Sequence, residues 1–270
     1  MFLFGRRFQS LSTIRTNEPM IKIFRRIRRR LLSEGKFKNY LAYAIGEITL
    51  VVLGILIALQ INNWNQDKQL HRSEINTLKS LRESIKINLN ELDLILKAQI
   101  LRNKSLQEVI FVDLSDRDLT YLDSLITTNI ENHTFDPSTG IYNSIISSGK
   151  IEIITNDSLK NRISKLYDRV VDYQESEDEI TEFTKEHLEK NFIEHLNINP
   201  EILAKIRKRT NDEKLKDRAL YIETFSSQKL KNMYILLLNK MNEVILKGES
   251  LELEYQSLIS SLEKEIRNKE

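Results

Sequence analysis

LAYAIGEITLVVLGILIALQI, residues 41–61, is the stretch on which the architecture turns. At 1.5 Å of rise per residue, a helix of this length extends roughly 31 Å, against a bilayer hydrocarbon core of about 30 Å. Twelve of its residues are Leu, Ile or Val, each favouring insertion by about 0.3–0.6 kcal/mol near the helix centre. Their sum, about 4–7 kcal/mol, exceeds the cost of Glu47, taken by analogy with Asp as at most about 3 kcal/mol. Glu47 lies six residues into the run, where snorkelling or protonation lowers that cost further. The run is apolar on every face, which argues for a membrane span and against a buried core helix. A cleaved signal peptide has a shorter apolar region, and Gln60-Ile61-Asn62-Asn63 offers no small-x-small cleavage site. The expectation is one retained transmembrane helix.

Working outward, the flanks set an orientation. Residues 1–40 hold eleven basic residues against Glu18 and Glu34, so this segment is strongly positive. Arg25, Arg26, Arg28, Arg29 and Arg30 form a cluster upstream of the span, with Lys36 and Lys38 nearer to it. Positive flanks stay in the cytoplasm, so residues 62–270 are expected on the far side of the bilayer. That body carries a mild negative excess, the opposite of a nucleic-acid-binding domain, and no nucleic-acid partner is expected. Tyr40, Tyr43 and Trp64 sit where interfacial aromatics belong, with Trp64 marking the outer interface. Ala42, Gly46, Gly54 and Ala58 fall on one helical stripe, interrupted by Leu50. Such a stripe allows close helix–helix approach and a homo-oligomer in lipid. Glu47 has three readings: contact with a partner span, an interfacial carboxylate near Lys36 or Lys38, or an ion-coupled site.

Several runs around the span look like a known signature. They are Ile21-Lys22-Ile23-Phe24-Arg25-Arg26-Ile27-Arg28, Leu31-Leu32-Ser33-Glu34-Gly35-Lys36-Phe37, Tyr40 to Glu47, and Gly54 to Asn65. Over about residues 20–66 the chain resembles a domain-of-unknown-function family of small membrane-anchored proteins from Bacteroidetes. The resemblance implies an anchor in the bacterial inner membrane and a periplasmic helical domain, and it implies no activity. It begins at Met20, so residues 1–19 read as an upstream extension from a mis-called start. An organellar presequence, Arg-rich and acid-poor, is the lesser alternative.

The body reads as all-α. Leu78, Leu81, Ile85, Leu89, Leu92, Leu96, Ile100, Leu106 and Ile110 recur at helical steps and predict a long amphipathic helix running on from the membrane helix. Asp113 to Asp116 offers a cap for a shorter helix with Leu119, Leu122, Leu125 and Ile126. Residues 132–156 hold Pro137, Gly140 and Gly149 and predict turns, with a short helix over 140–148 and an extended piece over 150–155. Asn156 or Asp157 caps a second long helix reaching Leu196, and residues 198–220 read as short helices and loops around Pro200. A last helix runs from about Ser226 to Asn268. Three long amphipathic helices make an antiparallel bundle the economical arrangement.

Chemistry is sparse. The chain has no cysteine, which removes disulfides, thiolate metal sites and cysteine nucleophiles. The histidines are His71, His133, His187 and His195. None completes the Glu-x-x-His pattern of a di-metal bundle, because Thr184 and Phe192 stand three before His187 and His195. No nucleophile elbow, phosphate loop or dinucleotide fingerprint occurs. No catalytic residue, cofactor or metal is expected, and an unrecognised hydrolase is the least supported class. The acidic run Glu175 to Glu179 reads as a solvated helix face. What remains is a membrane-tethered helical module acting by protein or ligand contacts, with a scaffold or assembly factor of an envelope complex as the alternative.

Overall fold

The computed structural model describes residues 37–198 and 206–270, together with Arg26 and Arg29, which are helical and exposed. Arg25, Arg28, Arg30 and the stretch 1–19 lie outside the described residues. Among the described residues the elements are all helical: α1 (Phe37–Phe111), α2 (Leu119–Ile130), α3 (Gly140–Ser147), a 3-10 turn (Lys150–Ile153), α4 (Asp157–Phe183), a π-turn (Thr184–Glu189), α5 (Lys190–His195), α6 (Asn211–Ser226) and α7 (Gln228–Lys269). The chain divides into two units, residues 1–68 and 69–270.

In the first unit, one helix is long and apolar enough to cross a membrane. Its most apolar 18-residue stretch has a mean hydropathy of 2.3, and none of it is buried. Leu50, Leu53, Ile57 and their neighbours are exposed, with no cover from the described residues. Lys68 Nζ lies 5.4 Å from the centre of the Trp64 ring.

The second unit is built on three long helical faces. Leu78, Leu81, Ile85, Leu92, Leu96 and Leu106 are buried along α1, Leu159, Ile163, Val170 and Ile180 along α4, and Leu230, Leu237, Val244, Leu258 and Leu262 along α7. Steps of three and four place each set on one side of its helix, so burial follows from the spacing. Polar pairs along the edges give the register. Glu74 meets Lys269, Lys86 meets Glu263 and Asn103 meets Asn242, so partners descend along α7 as they ascend along α1. Arg162 with Glu254, Asp172 with Lys247 and Glu179 with Lys240 show the same opposition between α4 and α7. Gln99 with Glu177 and Arg102 with Thr184 ascend together, so α1 and α4 run in the same sense. The intervening α2, α3 and the 3-10 turn provide the return that a parallel pair requires.

Three local readings change. The cap of α2 is Asp118, whose side chain accepts from Tyr121 N at 2.8 Å, whereas Asp113 closes a preceding turn by accepting from Ser115 N. Residues 150–153 form a 3-10 turn and not an extended piece. Gly149 enters it at φ 71°, a conformation open to glycine, and Ile151 and Ile154 are both buried one 3-10 turn apart. Residues 211–226 form one continuous helix in place of short helices and loops. Thr210 and Glu213 cap it reciprocally, and Arg209 ties it to α2 by pairing with Asp123 at 2.7 Å and Asp217 at 2.9 Å.

The end of α7 is fastened by a buried carboxylate. Glu74 accepts from the Thr155 backbone N–H at 2.7 Å and from Thr155 Oγ1 at 2.9 Å, and pairs with Lys269 at 3.0 Å. Burial works against its ionisation, but these donors outweigh it and hold the Glu74 carboxyl below its ordinary value.

Gly248 marks the closest approach of the three helices. A Cβ there would stand 2.4 Å from Leu96 Cδ2 on α1 and 3.0 Å from Tyr173 Cε2 on α4. Gly248→Leu is expected to destabilise the fold by at least about 2 kcal/mol through overpacking. Gly248→Ala should cost less, because improved helix propensity of about 1 kcal/mol offsets the displacement of Leu96. Urea denaturation of both variants measures the ordering.

Candidate functional site

Two polar features stand out in the second unit. The first is an open groove of about 540 Å³. One wall is a single face of α1, with Gln69, Arg72, Ser73, Asn76, Thr77 and Ser80 at helical spacing. The other wall is Ile141, Ser144 and Ile145 of α3 with Lys150 of the 3-10 turn. Arg72 and Lys150 are exposed, and no ion pair joins either to another described residue. A space of this size falls within the usual range for small-molecule sites. Two cations among hydroxyls and amides suit an anionic, hydroxyl-bearing solute.

The second feature is a buried polar layer. Arg102 is 2% exposed and donates through Nη1 to Asn132 Oδ1 (2.7 Å) and through Nη2 to Asn129 O and Thr184 Oγ1 (both 2.7 Å). All three acceptors are uncharged. Burial brings its pKa down to about 10, opposed by the nearby Tyr234 and Glu131. Glu177, 3% exposed, accepts from Gln99 Nε2 at 2.8 Å and from Phe135 N at 3.0 Å, and Tyr173 Oη donates to Gln99 Oε1 at 3.0 Å. Burial pushes the Glu177 pKa up to about 7, although the Phe135 N–H, Tyr173 and Gln99 all favour the ionised form. The acidic run is therefore not uniformly a solvated face, since Ser176 and Glu177 turn into the core. A small cavity of about 10 Å³ between Arg102 and Glu177 is also lined by Asn132, His133 and Thr181.

These core residues escaped the sequence reading, yet a signal existed. The apolar series on α1 jumps from Ile100 to Leu106, and Gln99, Arg102 and Asn103 fill the inward positions that the jump leaves. Leu101, meanwhile, faces out. Ala42, Gly46, Gly54 and Ala58 are exposed on α1, with nothing among the described residues within 4 Å of a Cβ built at Gly46 or Gly54. Glu47 is half-buried on the same helix. The histidines do not converge. His71 Nε2 lies 2.9 Å from Lys269 O, His133 lines the small cavity, His187 packs on Phe183, and His195 bonds Asn191 O. Among the described residues no group of three metal-ligating side chains assembles.

A family model described as "Family of unknown function (DUF6090)" matches residues 47–185, just over half of the chain. The chain belongs to this family. The DUF6090 match overlaps the signature noted over residues 20–66 only from Glu47 onward. It takes in α2, α3, α4, the groove, Arg102 and Glu177, and stops before α6 and α7. No curated protein and no solved structure matches the chain.

Glu177 gives a pH dependence with a definite sign. Its folded pKa of about 7 exceeds the ordinary 4.5, so the native state holds an extra proton between these values. Its favourable contribution is complete below pH 4.5 and is lost as pH rises through 7. Native stability should therefore fall by on the order of 2–4 kcal/mol across this window relative to Glu177→Gln. Chemical denaturation at a series of pH values checks this, with the Gln variant giving the flatter profile.

Proposed function

We propose that this DUF6090 protein is a single-pass membrane protein of the bacterial inner membrane, with its N-terminus cytoplasmic and its helical domain periplasmic. In this reading the domain works by binding and not by catalysis. The apolar helix, the eleven cations of residues 1–40 and the negative excess after the span support the topology. The groove carries the functional reading, because Arg72 and Lys150 face a space lined by hydroxyls and amides. Its ligand class is a small hydroxylated anion. A module of this kind would pass ligand occupancy to a partner protein.

The scaffold reading has one observation in its favour. Ile87, Leu94 and Leu101 recur at seven-residue spacing on the outer side of α1 and are 60%, 66% and 63% exposed. An apolar line at heptad spacing suits a partner helix. Photo-crosslinking from position 94 in cells separates the two: recovery of one discrete partner, with groove variants behaving as wild type, supports the scaffold.

The absence of cysteine suits a direct topology test. A cysteine introduced at Ser147 should react with a membrane-impermeant maleimide in intact spheroplasts, and one at Ser10 only after permeabilisation. The reverse pattern, or recovery of the chain in the soluble fraction, overturns the topology. For the groove, the full chain in detergent micelles should bind glucose 6-phosphate or glucuronate and ignore glucose, by calorimetry. Arg72→Glu combined with Lys150→Glu should weaken binding at least tenfold. Indifference to both anions removes the groove as the site.

A further inference from the structure

The cavity beside Arg102 has features that the groove reading leaves unused. Two residues that line it each hold a buried polar atom with no hydrogen-bond partner among the described residues: Arg102 Nε, an obligate donor, and Thr181 Oγ1. A guanidinium carries five N–H donors, and Arg102 spends three of them on neutral acceptors. No carboxylate among the described residues lies within ion-pair distance of it. An uncompensated cation at 2% exposure is costly, because desolvation is not repaid by a counter-charge. The cavity, about 10 Å³, has room for one water-sized species. A small anion seated there would accept from Arg102 Nε and from the Thr181 hydroxyl and would neutralise the charge.

The opposite wall sets the condition. Glu177 lines the same cavity, and its carboxylate would repel an anion. The titratable or charged groups around this carboxyl are Arg102 from α1, Glu131 and His133 from the segment after α2, Tyr173 and Asp178 from α4, and Tyr234 from α7. Glu131 acts on Arg102, Asp178 raises Glu177, and the Tyr173 hydroxyl lowers it. Arg102 is the fixed cation of this wall and His133 the one other lining residue able to carry positive charge, so an ionised Glu177 and an anion compete for the same charge.

We propose that this cavity is a proton-linked site for one chloride-sized monovalent anion, held by Arg102 and Thr181 and admitted when Glu177 carries a proton. Where Glu177 starts ionised, one proton is taken up with each anion, so the charge of the layer is conserved on binding. The linkage is reciprocal: chloride raises the affinity of Glu177 for its proton by the same factor.

With the Glu177 carboxyl titrating at about 7, the protonated fraction falls roughly tenfold between pH 6 and pH 8. The test uses the full chain in detergent micelles, with chloride exchanged for gluconate at constant ionic strength. Stability is followed by chemical denaturation, since a ligand that binds only the folded state stabilises it in proportion to occupancy. The expected result is an apparent chloride affinity about tenfold tighter at pH 6 than at pH 8. Glu177→Gln should bind equally at both pH values. Arg102→Met should lose the chloride response, and Thr181→Val, which removes one of the two proposed anion donors, should weaken it if the Met variant does not fold. His133→Gln should keep the pH dependence. No chloride response of the native chain at pH 6 overturns the proposal in favour of an internal water. So does a response that survives both Arg102→Met and Thr181→Val, or a pH dependence that disappears with His133→Gln.

Discussion

A guanidinium kept from water is the constraint around which the second unit is arranged. Arg102 needs acceptors that the chain must bring from elsewhere, and it takes them from three places. Asn129 offers a backbone carbonyl in the last turn of α2, where helix carbonyls lack intrahelical partners and the helix dipole is negative. Asn132 follows in the segment that leaves this helix. Thr184 opens the π-turn that ends α4. One side chain of α1 thereby specifies where α2 must stop and where α4 must widen. Wide turns of this kind are uncommon inside helices and tend to occur where geometry is imposed from outside.

The polar layer sits within an otherwise apolar seam, and the two contribute differently. Leucine and isoleucine faces on α1, α4 and α7 supply the non-directional part of stability, at about 25 cal/mol per Å² of buried apolar surface. That term would tolerate sliding of one helix along another by a turn. Gln99, Arg102, Glu177, Asn129 and Tyr234 would not, since each shift leaves donors or acceptors unmatched at a cost of about 1–3 kcal/mol per group. The clasp of Glu74, Thr155 and Lys269 pins the register again at the end of α7. Gly248 completes the set by letting α7 approach where Leu96 and Tyr173 leave no room for a side chain.

Surface chemistry is partitioned along the chain. Along residues 50–59 the exposed side chains are apolar on all sides, a surface that water does not stabilise and a bilayer does. In the second unit the exposed residues are mostly charged or polar, and the Ile87, Leu94 and Leu101 line is an apolar departure on the outer side of α1. The groove shares α1 but takes its second wall from α3 and Lys150.

Periodicity and composition were enough to read the all-helical fold, the apolar span and the positions of the long helices, because burial of a helical face leaves a 3.6-residue imprint in any sequence. Asn156 as a cap, the short helix near Gly140 and the inward Leu and Ile residues were all legible on that ground. The common direction of α1 and α4, the helix over 211–226 and the 3-10 turn at 150–153 were not, because each depends on contacts between residues far apart in the chain. The same holds for the candidate sites. The small-residue stripe and the arginine cluster are patterns within one segment and could be named at once. Arg102, Glu177 and the groove walls are assembled from α1, α3, α4 and the loops between them, and a charged residue announces no burial until its neighbours are known. Sequence by itself determined which surfaces must leave water; only the tertiary structure decided which charges went in with them, because their cost is set by partners that the order of residues does not reveal.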